Sequence, residues 1–72
     1  MSGYPTVSVN GAPRELAPGT TLADLVTELL SRASGAGVAA AVNECVVPRA
    51  RWHGTTLAPG DRVEILTAVQ GG

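Results

Sequence analysis

The stretch from Val7 to Leu30, VSVNGAPRELAPGTTLADLVTELL, decides the fold. It opens on Val7-Ser8-Val9, where apolar and polar residues alternate as in a half-buried strand. Asn10-Gly11 follows at once, a dipeptide suited to a type I′ turn, in which both central residues need positive φ. The chain then returns as a second strand over Ala12 to Leu16. Pro13 has no N–H to give to a ladder, so this strand is expected at a sheet edge. Ala17-Pro18-Gly19 breaks the pattern. Thr20 and Thr21 offer N-cap hydroxyls, and Thr21-Leu22-Ala23-Asp24 has the spacing of a capping box. Leu22, Leu25, Val26, Leu29 and Leu30 then make one apolar stripe on a helix of about three turns. Gly35 and Gly37 mark the exit, with one of them as a left-handed cap.

Downstream the period changes. Val38 to Val42 is a short continuous apolar run, too short for a helix, and reads as a central strand buried on both faces. Its three alanines suit close packing under a helix. Asn43-Glu44 is a turn, and Cys45-Val46-Val47 is a short strand stopped by Pro48. Arg49 to Leu57 has no clear period. Pro59-Gly60-Asp61 signals another turn. From Arg62 to Val69 the chain alternates again, with Val63, Ile65 and Thr67 on one face and Glu64, Leu66 and Ala68 on the other. Two strands, a helix and a return to the sheet predict an α+β domain, a mixed sheet of four to five strands packed on one main helix.

Composition narrows the function classes. At 72 residues the chain has room for one domain, expected over 1–69, with 70–72 as a flexible tail. Its stability should be modest, about 4–11 kcal/mol, and little space remains for a deep active site beside the core. A net charge of −1 supplies no basic footprint for nucleic acid or membrane lipid. All five positive residues are arginines, so no side chain of this chain can carry an isopeptide bond. Cys45 is the one cysteine, which excludes an internal disulfide. Met1 to Pro5 lacks the pattern of a signal peptide, and no apolar run approaches a membrane span. A cytoplasmic protein is expected.

The order of these segments resembles the ubiquitin-like β-grasp fold, and within it the ThiS family of thiamin-biosynthesis sulfur carriers. The residues that carry the resemblance are Val9-Asn10-Gly11, Gly19 to Leu25, Ala41-Val42-Asn43, Val46 to Arg49 and Trp52. Leu57 to Leu66 and the terminal Gly71-Gly72 complete the set. Asn-Gly and Pro-Gly turns are common singly; their order, with a Gly-Gly expected to be the true C-terminus, is far more specific. One residue departs from the pattern. Glu44 stands where the family commonly has glycine, and glutamate tolerates positive φ poorly, which puts the turn type at Asn43-Glu44 in question.

The resemblance implies a chemistry for the tail. A ThiF-type adenylyltransferase, using ATP and magnesium, would convert the Gly72 carboxylate into an acyl-adenylate. A sulfur donor such as a cysteine desulfurase would then leave a thiocarboxylate for a ThiG-type thiazole synthase. The residues suit that task. A terminal carboxylate is ionised at neutral pH but is a poor acyl donor until it acquires a leaving group. Gly71 and Gly72, following Gln70, carry no Cβ and can thread a narrow channel. Leu66 and Ala68, with Arg49 and Arg62, are candidates for docking the activating enzyme.

Other residues have plainer readings. Cys45 has no neighbouring cation in sequence and reads as an inert sheet residue. His53 lacks a second metal ligand at suitable spacing and reads as a loop anchor. Trp52 reads as a cover on the core, and Asp61 and Glu64 as turn and solvent-face residues. No catalytic constellation, metal motif or phosphate loop is present, so the chain is expected to serve partner enzymes and to bind no cofactor itself. Competing functions are a molybdopterin-synthase small subunit or other sulfur-metabolite carrier, a protein modifier, and a plain interaction domain.

Overall fold

A computed structural model describes residues 4–30 and 37–67. Five strands and one α-helix appear in the expected order: β1 (Thr6–Val9), β2 (Ala12–Glu15), α1 (Leu22–Leu29), β3 (Val38–Val42), β4 (Cys45–Val47) and β5 (Arg62–Thr67). A 3-10 helix, Arg49–Gly54, lies between β4 and β5. The strands form one sheet in the order β2-β1-β5-β3-β4. β1 runs parallel to β5, and the other neighbours are antiparallel, so the sheet is mixed as expected.

Local chemistry explains the elements. Asn10 and Gly11 sit at φ 50 and 88, which gives the first hairpin its two left-handed centres. β2 is an edge strand, as Pro13 requires. Leu16 lies just past it, yet its N–H still donates to the Pro5 carbonyl at 2.9 Å. The capping box is present in both directions: the Asp24 N–H donates to Thr21 Oγ1 at 3.1 Å, and the Thr21 N–H donates to Asp24 Oδ2 at 3.2 Å. α1 has eight residues, little more than two turns, and is thus shorter than the apolar stripe implied. Leu30 leaves helical geometry at φ −119, ψ 48 and serves as the C-cap, so the last leucine of the stripe packs from outside the helix. Gly37 holds φ 77 where the chain enters β3; Gly35 is outside the described residues.

The core forms where α1 covers one sheet face. Leu22 and Leu25 are fully buried, with Val7 and Val63 beneath them. Leu16, Ala23, Val26, Ala40, Leu57 and Ile65 complete the buried set with Trp52, whose ring closes it from the 3-10 helix. The indole N–H of Trp52 donates to the Val47 carbonyl at 2.8 Å, so the buried ring leaves no polar atom unpaired. The 3-10 segment is also tied to the start of α1. The Leu22 N–H donates to Thr55 O at 2.8 Å, and the Leu57 N–H donates to Thr20 O at 3.0 Å.

The reading of β3 needs correction. The strand is interior, but β5 holds the central place. Nor is β3 buried on both faces: Ala40 is buried, whereas Ala39 is exposed. A single helix covers a single face, and alanine is small enough to sit on the open face without exposing much apolar area. A continuous apolar run therefore misled where only its alternate residues meet the core.

Candidate functional site

β5 is the element that leads toward the C-terminus, and two asparagines fasten it. Both stand at the end of a strand, both hold positive φ, and both turn their amides onto the β5 backbone. Asn10 Oδ1 accepts the Ile65 N–H at 2.9 Å, while its Nδ2 donates to the Ile65 carbonyl at 3.1 Å. Asn43, at φ 52, accepts the Arg62 N–H on Oδ1 at 2.9 Å and donates from Nδ2 to Asp61 Oδ1 at 3.0 Å. Its own N–H donates to the Arg62 carbonyl at 2.7 Å. Asp61 links this turn to the next, because its Oδ2 accepts the Ala58 N–H at 2.8 Å. Pro59 followed by Gly60 at φ 86 has the arrangement of a type II turn.

The turn at Asn43-Glu44 keeps its two left-handed residues. Glu44 sits at φ 71, so the departure from glycine is absorbed as backbone strain and not as a change of hand. Its carboxylate lies 3.5 Å from Arg62 Nη2, a pair in which both side chains are mostly exposed.

Among the described residues, no element covers the sheet face away from α1. Along β5 the alternation puts Arg62, Glu64 and Leu66 there, opposite the buried Val63 and Ile65. The register sets Ala39 beside Leu66 and Ala41 between Glu64 and Val46. Leu66 is 69% exposed and Val46 76% exposed. The result is an apolar strip, small in area, with Arg62, Glu64 and Glu44 around it.

The residues singled out from the sequence separate in space. Leu66 and Arg62 share the open face of β5. Arg49 belongs to a different element, and its guanidinium lies over the Trp52 ring, 5.6 Å from the centroid. Ala68, Gln70, Gly71 and Gly72 lie outside the described residues. Cys45 is a free, exposed thiol on the edge strand β4. His53 is exposed on the 3-10 helix. Among the described residues, no group of three His, Cys, Asp or Glu side chains is placed to hold a metal, and no polar or charged side chain is buried. Among the described residues no helix is long and apolar enough to cross a membrane. The geometry offers a central strand leading toward the terminus, paired on both sides, and a sheet face with exposed side chains.

The asparagine anchors were missed as anchors. Asn10 and Asn43 were read for their turns alone. The available signal was that each follows a valine at a strand end, in Val9-Asn10 and Val42-Asn43.

Comparison with known proteins agrees with this architecture. The model of the ThiS family matches residues 7–72. Among solved structures, the crystal structure of the thiamine biosynthesis protein ThiS from Geobacter metallireducens is similar, with a TM-score of 0.73 and 30% identity. The alignment covers 93% of this chain and 99% of that one. No match is found among curated proteins. The mixed five-stranded sheet on one helix is the ubiquitin-like β-grasp fold.

Proposed function

The chain belongs to the ThiS family, and from that premise we propose that it is a sulfur carrier for thiazole formation in thiamin biosynthesis, with the Gly72 carboxylate as its working group. The observation that carries this reading is the reach of the family match to residue 72, which takes in Gly71 and Gly72. A neighbour named as a thiamine biosynthesis protein, similar over nearly its whole length, supports the same pathway.

In the proposed cycle the carboxylate oxygen attacks the α-phosphorus of ATP on a ThiF-type adenylyltransferase, and pyrophosphate leaves. ATP and magnesium belong to that partner. The acyl-adenylate now has a good leaving group. A persulfide fed by a cysteine desulfurase displaces AMP to give an acyl disulfide, and a second thiol then cleaves the S–S bond, forming a disulfide with the donor and releasing the thiocarboxylate on Gly72. A ThiG-type thiazole synthase receives the sulfur. This chain is then a co-substrate, and its folded body serves recognition. The absence of any side chain at Gly71 and Gly72 lets the tail enter a narrow channel in backbone conformations closed to other residues.

The open face of β5 is the proposed docking surface. Leu66 and Arg62 lie on it, and Ala68 continues the alternation of the sequence. Arg49, over Trp52, would meet the partner from the 3-10 helix.

Intact mass spectrometry tests the proposal. The chain is incubated with an active adenylating partner, ATP, magnesium and a sulfur source, and the modified site is mapped. A sulfur-for-oxygen exchange at Gly72 is expected. No adduct, with a partner proven active, would leave a plain interaction domain; transfer of the sulfur to a molybdopterin precursor would point to the other carrier class.

A further inference from the structure

Resting on the carrier reading above, we propose that Asn10 is a positioning residue, whose side-chain amide fixes the point at which β5 hands the chain on to the tail. The backbone ladder between β1 and β5 ends early. Its register holds Ser8 against Arg62 and Val9 against Val63. On the other side β3 continues along β5 as far as Thr67. Past Val63, then, β5 has a strand along one edge only among the described residues.

Asn10 extends the missing edge. Its backbone N–H donates to the Val63 carbonyl at 2.9 Å, which is the last backbone bond from the β1 side. Its amide then meets both the N–H and the C=O of Ile65, at 2.9 and 3.1 Å. A carboxamide holds an acceptor oxygen and a donor NH2 in one plane, and so can present one of each to a strand as a peptide group does. It therefore supplies the next rung after the backbone has turned away. The φ of 50 at Asn10 permits this, because the main chain bends into the hairpin while the side chain keeps to the strand. The two bonds are partly buried and join residues 55 positions apart.

A turn requirement alone does not account for this pairing. Type I′ turns accept asparagine, aspartate or glycine at this place. Of these three, the neutral amide alone both accepts from and donates to Ile65. Gly72 lies seven residues beyond Ile65 in the sequence. β3 alone holds β5 from Ile65 to Thr67, so loss of the Asn10 rung would loosen the strand from which the tail departs, and attack on a phosphorus atom is sensitive to misplacement of about 1 Å.

Asn10→Gly and Asn10→Asp test the inference. Both replacements accept positive φ, so the turn survives. Glycine removes both bonds to Ile65, and an ionised aspartate removes the donor. Hydrogen exchange at the Ile65 amide is expected to quicken about fivefold to tenfold in Asn10→Gly, in line with a lost hydrogen bond. Adenylation by the ThiF-type partner is expected to lose about tenfold in kcat in both variants, with KM for the carrier held within about twofold, since the docking face is untouched. A purely structural loss would not divide kcat from KM in this way. Wild-type kcat in both variants, or a change confined to KM, overturns the inference while leaving the carrier reading intact. Failure of the wild-type chain itself to be adenylated by an active partner removes the carrier reading, and this inference falls with it.

Discussion

Glu44 sits at φ 71, a region in which an L-residue with a full side chain is penalised by about 1–2 kcal/mol. Its ion pair with Arg62 does little to offset that cost, because the two side chains are 77% and 63% exposed and separated by 3.5 Å. The turn is held instead by Asn43, whose amide and N–H engage Arg62 and Asp61. Replacing Glu44 with glycine should relieve the strain and leave those bonds in place. Glycine adds disorder to the unfolded chain worth about 0.4–1 kcal/mol, so the net gain should be about 0.5–1 kcal/mol. For a domain of this size that is a rise of about 2–8 °C in Tm. Thermal unfolding followed by circular dichroism would check it, and an unchanged or lower Tm would refute it. The sequence flagged this residue because it departs from a recognisable pattern. It did not reveal that the hairpin would keep its hand, since that outcome depends on Asp61 and Arg62, brought to Asn43 from 18 and 19 positions away.

α1 carries most of its weight through one face. It is too short to persist alone, since isolated helices below about 12–15 residues are marginal in water. Its capping box and two fully buried leucines are therefore what hold it. Leu25→Ala removes a side chain enclosed on all sides, and a cost of about 2–4 kcal/mol is expected. Against a total of about 4–11 kcal/mol this is a large share, and urea unfolding should show a clearly lower midpoint with little change in slope. A midpoint equal to wild type would mean that the helix is not docked as described. This stripe was legible because its period of 3.6 has few imitators. The 3-10 helix was not legible: Arg49 to Gly54 is too short to show a period, and it is shaped by the burial of Trp52 and the bond from its indole to Val47. β3 was legible as a strand but not in its burial, because a run of alanines looks alike on both faces. Which face meets α1 is settled by pairing with β5, where Ala40 stands against Ile65 and Ala39 against Leu66.

At the scale of the whole molecule the two sheet faces differ: α1 covers one, and the other is the proposed docking surface. Among the described residues the fully buried side chains, Leu22, Leu25, Val7 and Val63, lie between α1 and the sheet, whereas Leu66 is left largely exposed on the other side. Leu66→Asp should accordingly cost at most about 1 kcal/mol of stability, the span of strand preferences. It should weaken binding to the adenylating partner by tenfold or more, as loss of an apolar anchor does. Unchanged binding by a folded variant, measured by titration calorimetry, would remove Leu66 from the docking surface. This surface was half legible in sequence: alternation put Leu66 on the open face, whereas the place of Arg49 on a separate element, over Trp52, was not legible because the 3-10 helix itself was not. The tail is the converse case, carried by residue type and family resemblance, with its residues beyond the described ones. Among the described residues, the core that gives the domain its stability runs from Val7 to Ile65. Deleting Gly72 should thus leave the thermal midpoint where it was, while the new terminus falls one residue short of the partner's ATP. In-line attack tolerates so little misplacement that adenylation should drop below about 1% of wild type. Pyrophosphate release would measure it. Adenylation of the shortened chain at the full rate would mean that the partner does not read the length of the tail, and the Gly72 carboxylate would lose its assigned role.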